Sequence, residues 1–292
     1  MITLIHNTLK TLPHLSGNLE GLSFIKYSTP TSGKTLDDKV IFLAFKQGAM
    51  SPFLCIKTVR NYGARETIVR GFNNLKQLNT LTAGSRYEQL FPRALHVYDD
   101  GEHIFSIETA CSGGRANLDR TILRTIVGEY IGFQAHVAKR PLRDVDELAE
   151  HTIRTCGLSE LDKNELRRLY DLLPVTHVRL PSALQLGDLT EDNMLFSQER
   201  TYIVDFDLVG IVDMPGFDLF GLFFRFNQKG TAALVREYFP DYFAKIGAEV
   251  GDNEYTRLLF LYYVAERTLR KPYLLKTMSA EKIIIDFSRL FL

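Results

Sequence analysis

Apolar and polar positions follow two different periods along the chain, and the change comes shortly after residue 110. Before that point the apolar runs are short and turn-bounded. Leu22 to Tyr27, Val40 to Phe45 and Phe53 to Val59 read as three strands of an antiparallel meander. They are separated by the small-residue loop Ser28–Thr35 and the turn-like Gln47–Ser51. Ile68, Phe72, Leu75 and Leu78 fall on one stripe at helical spacing and predict a helix from about Ala64 to Asn79. Ala94 to Tyr98 and His103 to Thr109 predict a hairpin that turns at Asp99-Asp100-Gly101. The expectation is a five-stranded antiparallel sheet with one helix inserted after the third strand.

Beyond Ser112-Gly113-Gly114 the period is helical. Leu118 to Ala138, Val145 to Arg154 and Lys163 to Leu173 predict helices. Ala183 to Asn193 is a short irregular segment, followed by two short strands, Met194 to Phe196 and Tyr202 to Asp205. From Asp218 to Leu292 the pattern is again mostly helical, with aromatic-rich faces such as Leu258 to Tyr263. The fold class expected is α+β in two lobes: a β-rich lobe over residues 1–110 and a larger, mainly helical lobe over 111–292. Ligands favour the cleft between two such lobes.

Composition narrows the classes. The 292 residues are 45% hydrophobic and 24% charged, as expected of a globular protein. Lys plus Arg and Asp plus Glu are both 35, so the basic excess of a nucleic-acid binder is missing. Cys55, Cys111 and Cys156 are odd in number and far apart, which argues against a disulfide framework or zinc site and for a reducing cytoplasm. Met1 to Lys10 lacks the pattern of a signal peptide, and no apolar run reaches the roughly 20 residues that span a bilayer. The seven histidines show no metal-ligand spacing, and the Gly-x-Ser-x-Gly elbow of a hydrolase does not occur. Neither a nucleic-acid nor a membrane partner is expected.

The densest chemical signal runs from Leu186 to Asp207. An Asp (Asp188) is followed five residues later by an Asn (Asn193). A short hairpin comes next, and then Asp205 and Asp207 after the apolar Tyr202-Ile203-Val204. Phosphoryl transfer uses such a set. One carboxylate positions and deprotonates a hydroxyl, while a second carboxylate and an amide oxygen hold magnesium against the phosphates.

In these residues the chain resembles the aminoglycoside phosphotransferase and choline kinase group of the protein-kinase-like superfamily. The matching elements are Gly187-Asp188, Asn193, Val204-Asp205-Phe206-Asp207 and Pro215-Gly216-Phe217-Asp218-Leu219, in the family's order and spacing over about 35 residues. The resemblance implies ATP and Mg²⁺ as cofactors and a small-molecule hydroxyl (sugar, aminoglycoside or amino alcohol) as acceptor. It implies Asp188 as catalytic base, Asn193 and Asp205 as magnesium ligands, and Asp218 as a brace of the catalytic loop. In the strand Phe53 to Val59, Lys57 fits the lysine that contacts the nucleotide phosphates, on one face with Cys55 and Val59. Thr31-Ser32-Gly33-Lys34 stands in the place of the loop that covers the phosphates and is equally well explained as a plain hairpin turn. By position, Glu108 offers its carbonyl and Ala110 its N–H to adenine. The chain departs from the family at two places. Leu186 stands where the family has His, and Gly71 where the helix glutamate that orients the lysine is expected; Glu66 is the sole acidic residue of that helix. The rival reading, from the same departures, is a nucleotide-binding or scaffold module without turnover. A true protein kinase is disfavoured by the missing His-Arg-Asp and Asp-Phe-Gly patterns.

Overall fold

The structure is a computed structural model that describes residues 1–13, 15, 19, 21–28, 39–115, 118–174, 178–197, 200–251, 255–269 and 278–291. These divide into two compact units. One comprises Met1–Ala116 with Asp192–Asp207, the other Asn117–Glu191 with Leu208–Leu292.

The first unit is built on β1 (Ser23–Ser28), β2 (Lys39–Phe45), β3 (Leu54–Val59), β4 (Ala94–Asp99) and β5 (Ile104–Thr109). They form one antiparallel sheet in the order β1-β2-β3-β5-β4. Period-two alternation gives each strand two unlike faces. On β2 and β3, Val40, Phe42, Ala44, Leu54 and Ile56 are buried in one apolar cluster. Ile5 and Leu9 of α1 (Ile2–Thr11) complete that cluster. The alternate positions Lys39, Ile41, Leu43, Cys55 and Lys57 face a cavity. α2 (Arg65–Thr82) follows β3, as the apolar stripe predicts, and its Ile68, Leu75 and Leu78 are buried. α1 was not anticipated, although Ile5 and Leu9 already have helical spacing and its inner face is buried.

The second unit is helical: α3 (Arg120–Val137), α4 (Val145–Thr155), α5 (Glu160–Leu172), α6 (Phe217–Phe226), α7 (Thr231–Ile246), α8 (Tyr255–Thr268) and α9 (Ala280–Phe291). Caps set the starts. The Asp119 carboxylate accepts the N–H groups of Thr121 and Ile122, both at 2.8 Å, and Asp144 accepts that of Asp146 at 2.8 Å. A two-stranded sheet, β6 (Lys139–Asp144) with β7 (Arg179–Ser182), was missed by the pattern reading because its strands are short and rich in polar residues and proline. Phe223, Phe224, Tyr262 and Tyr263 are buried, so most of the aromatic set of this half packs the core.

The hairpin of β8 (Met194–Phe196) and β9 (Thr201–Ile203) belongs to the first unit. Phe196 exchanges backbone hydrogen bonds with Gly114 at 2.8 and 3.0 Å. Asn74 of α2 donates to the Phe206 carbonyl at 2.7 Å, and Arg70 to that of Asp207 at 3.1 Å. No described helix is long and apolar enough to cross a membrane.

Candidate functional site

A cavity of about 860 Å³ opens within the first unit, a size suited to a nucleotide. Apolar side chains reach it from the sheet (Ile41, Leu43) and from the hairpin (Leu195, Val204). The segment from Thr109 to Gly113 lines one part of it. Lys39, Lys57, Glu108, Asn193 and Asp205 supply its polar groups. Five of the residues singled out from the sequence, Lys57, Glu108, Ala110, Asn193 and Asp205, therefore line one cavity. The sixth, Asp188, lies in the second unit.

Lys57 does not pair with the helix. Its ammonium lies 2.8 Å from the Glu108 carboxylate, and both side chains are largely buried. Register explains the pair. Cys55 faces Glu108 and Lys57 faces Ser106 across β3 and β5, so Lys57 and Glu108 are diagonal neighbours on one face. Burial alone would lower the lysine; the Glu108 carboxylate more than reverses this and holds it above the ordinary lysine range. Glu66, the sole acidic residue of α2, is not the partner: its carboxylate meets Arg65 at 3.2 Å and its side chain is 75% exposed. The expected role of Glu108 as a backbone acceptor missed this side-chain contact. The Ala110 N–H, assigned to adenine, donates to the Phe53 carbonyl at 3.0 Å, so binding a base there requires giving up that bond.

Asp205 lies two residues beyond the end of β9 rather than closing that strand. Its φ of 70° is the only positive value among described non-glycine residues. Asp tolerates this region better than most residues, and strain of about 1–3 kcal/mol at such a position marks functional loops. Lys39 was not anticipated. Its ammonium sits 3.0 Å from Asp205 Oδ1 and also pairs with Asp207. Period-two parity could have found it, because Lys39 and Ile41 share a face and Ile41 faces Lys57. Asp205 is held below the usual carboxylate range: its own burial opposes this, and the charges of Lys39 and then Lys57 prevail. Asp207 is raised, chiefly by burial. Among the described residues no three His, Cys, Asp or Glu side chains gather as a metal site. Two carboxylates already gathered on one ammonium nevertheless show a donor set suited to a hard cation, with the Asn193 amide lining the same cavity. These residues fit magnesium. The phosphate-covering loop expected at residues 31–34 lies outside the described residues.

In the second unit, Asp218 is fully buried at the start of α6. Its carboxylate accepts the Leu186 N–H at 2.5 Å, the Gly187 N–H at 2.9 Å and the Tyr130 hydroxyl at 2.5 Å. Burial, and then the Asp218 charge, push the Tyr130 phenol far above its ordinary range, so it stays a donor. Gln185 continues the network, accepting the Asp218 N–H at 3.2 Å and donating to Gln134 at 2.7 Å. Gly187 has φ 80°, and a Cβ there would lie 2.2 Å from the Leu208 carbonyl oxygen, so only glycine fits. Asp188 follows directly, with the Arg225 guanidinium 3.6 Å from its carboxylate. Leu186 is buried, and its contact with Asp218 is made by backbone, independent of the side chain that replaces His.

Comparison with known proteins gives a fold and a family. No curated protein sequence matches the chain. Among solved structures, one provisionally named a fructosamine-3-kinase, from Haemophilus somnus 129PT, superposes with a TM-score of 0.52 at 11% identity, covering 92% of each chain. An aminoglycoside phosphotransferase of Streptomyces rimosus ATCC10970, solved with ADP and streptomycin, gives 0.47 at 14% identity, covering 90% of this chain and 97% of its own. The fold is thus protein-kinase-like, with a small antiparallel sheet in one lobe and helices in the other. The model of the phosphotransferase enzyme family matches residues 84–260, more than half of the sequence, and the chain belongs to that family.

Proposed function

We propose that the protein is an ATP- and magnesium-dependent kinase that moves the γ-phosphoryl group to a hydroxyl of a small molecule. One observation carries the reading: a lysine held by a carboxylate and the Asn193–Asp205 donor pair line the same cavity, of nucleotide size. In this reading the apolar residues Ile41, Leu43, Leu195 and Val204 contact the base, and its edge meets the backbone of the Glu108–Cys111 segment. Lys57 contacts the α- and β-phosphates. Asn193 and Asp205 hold Mg²⁺, which neutralises charge developing on the phosphates. Asp188 orients and deprotonates the acceptor hydroxyl, and Asp218 fixes the loop that presents it.

The test is Asp205→Ala, examined by calorimetry with Mg·ATP and by ATP turnover. Losing the metal is expected to cost roughly a thousandfold in turnover, several kcal/mol of charge stabilisation. Unchanged binding and turnover would remove the metal role. A wild-type protein that binds Mg·ATP yet never hydrolyses or transfers it, across a broad acceptor panel, would instead support the module without turnover.

A further inference from the structure

The kinase-like arrangement needs a carboxylate to hold the phosphate-binding lysine, and the inserted helix offers none at the expected place: Gly71 stands there. The structure shows what α2 does in that position. Arg70, Gly71 and Asn74 sit on one side of the helix, against the Phe206–Asp207 backbone and the Asp207 carboxylate. A Cβ on Gly71 would lie 2.7 Å from Asp207 Oδ1, so any larger side chain there displaces the Asp207 carboxylate. Glu108, on the interior strand β5, meets Lys57 at 2.8 Å and is 5% exposed. The lysine also lies over the Phe206 ring, 5.7 Å from its centre.

Building on the nucleotide reading above, we infer that Glu108 is the positioning residue for Lys57, and that α2 has exchanged that task for bracing the Asp205–Asp207 loop. The physical consequence is a change of support. A carboxylate on a helix holds a lysine only while the helix is docked. A carboxylate on the adjacent strand holds it whenever β3 and β5 are paired, because strand register fixes diagonal neighbours. The lysine of this chain is therefore set permanently by the sheet, and displacement of α2 acts on the metal carboxylates instead.

The experiment is calorimetric titration with ADP, with and without Mg²⁺, together with Mn²⁺ binding followed by electron paramagnetic resonance. Glu108→Gln removes the charge and keeps the shape. It is expected to weaken metal-free ADP binding at least tenfold and to raise KM for ATP more than it lowers kcat, with Mn²⁺ affinity retained. In a Lys57→Met background the same substitution is expected to have no further effect on ADP affinity. Gly71→Ala, which leaves the sheet intact, is expected to weaken Mn²⁺ binding several-fold and leave metal-free ADP binding as in the wild type. ADP affinity unchanged or tightened by Glu108→Gln overturns the inference, as does an effect that persists without Lys57. Loss of metal-free ADP affinity in Gly71→Ala overturns it too, even where Glu108→Gln does not fold. A wild-type protein that binds no ADP at all takes down the nucleotide reading itself, an outcome distinct from these.

Discussion

The two acidic loops are held in opposite ways. In the first unit the carboxylates of Asp205 and Asp207 are held by charge: a single ammonium, that of Lys39, pairs with both, while α2 braces the backbone between them and Asp205 stands in a strained conformation. The loop bearing Asp188 in the second unit is held by hydrogen bonds, with Asp218 gripping the Leu186 and Gly187 N–H groups in a buried network anchored on Tyr130 and Gln185. A charge clamp can be exchanged for another cation at small cost, since the carboxylates keep a counter-charge throughout. A buried hydrogen-bond network cannot open without leaving polar groups unpaired. The difference teaches which loop is built to trade its partner and which to keep one geometry.

The strongest way to break the comparison is Asp188→Asn. If the second loop exists to present a base, turnover is expected to fall by about 10²–10⁴-fold, with ADP and Mn²⁺ binding in the first unit unaltered. Parallel loss of nucleotide binding would show that the two loops do not have separate tasks. Next in size is Asp218→Ala, which strands two backbone N–H groups and a phenol; a stability loss of about 3 kcal/mol or more is expected, read as a lower denaturation midpoint. A midpoint equal to the wild type would mean that the network holds nothing. The smallest effect sharpens the other side. Lys39→Met removes the resident cation, and Mn²⁺ is expected to bind the free protein about tenfold tighter, on the scale of one screened charge pair. Unchanged or weaker metal binding would show that Lys39 does not occupy the cation position.

Much of this was legible in the residues. The strands of the sheet and the helix after the third strand follow from local pattern, because alternation and helical stripes are properties of short windows, and the Gly187-Asp188 to Asp218 spacing is legible through the family resemblance. The β6–β7 pair was not legible, because it has too little apolar alternation to announce itself, whereas α1 carries helical spacing at Ile5 and Leu9. Glu66, alone acidic in α2 but about 140° round the helix from Gly71, is a poor sequence candidate for the Lys57 partner, and the chain satisfies the lysine 51 positions further on, at Glu108.

By itself the sequence determined the fold class, through periodicity, and the family, through its resemblance over the motifs from Gly187 to Leu219. Which carboxylate serves which lysine was decided only in three dimensions. Lys39 with Asp205 and Asp207, and Lys57 with Glu108, are pairs set by strand register and by the close approach of α2 at Gly71. Register and interelement packing join residues distant in the chain, and no local window of sequence contains both partners.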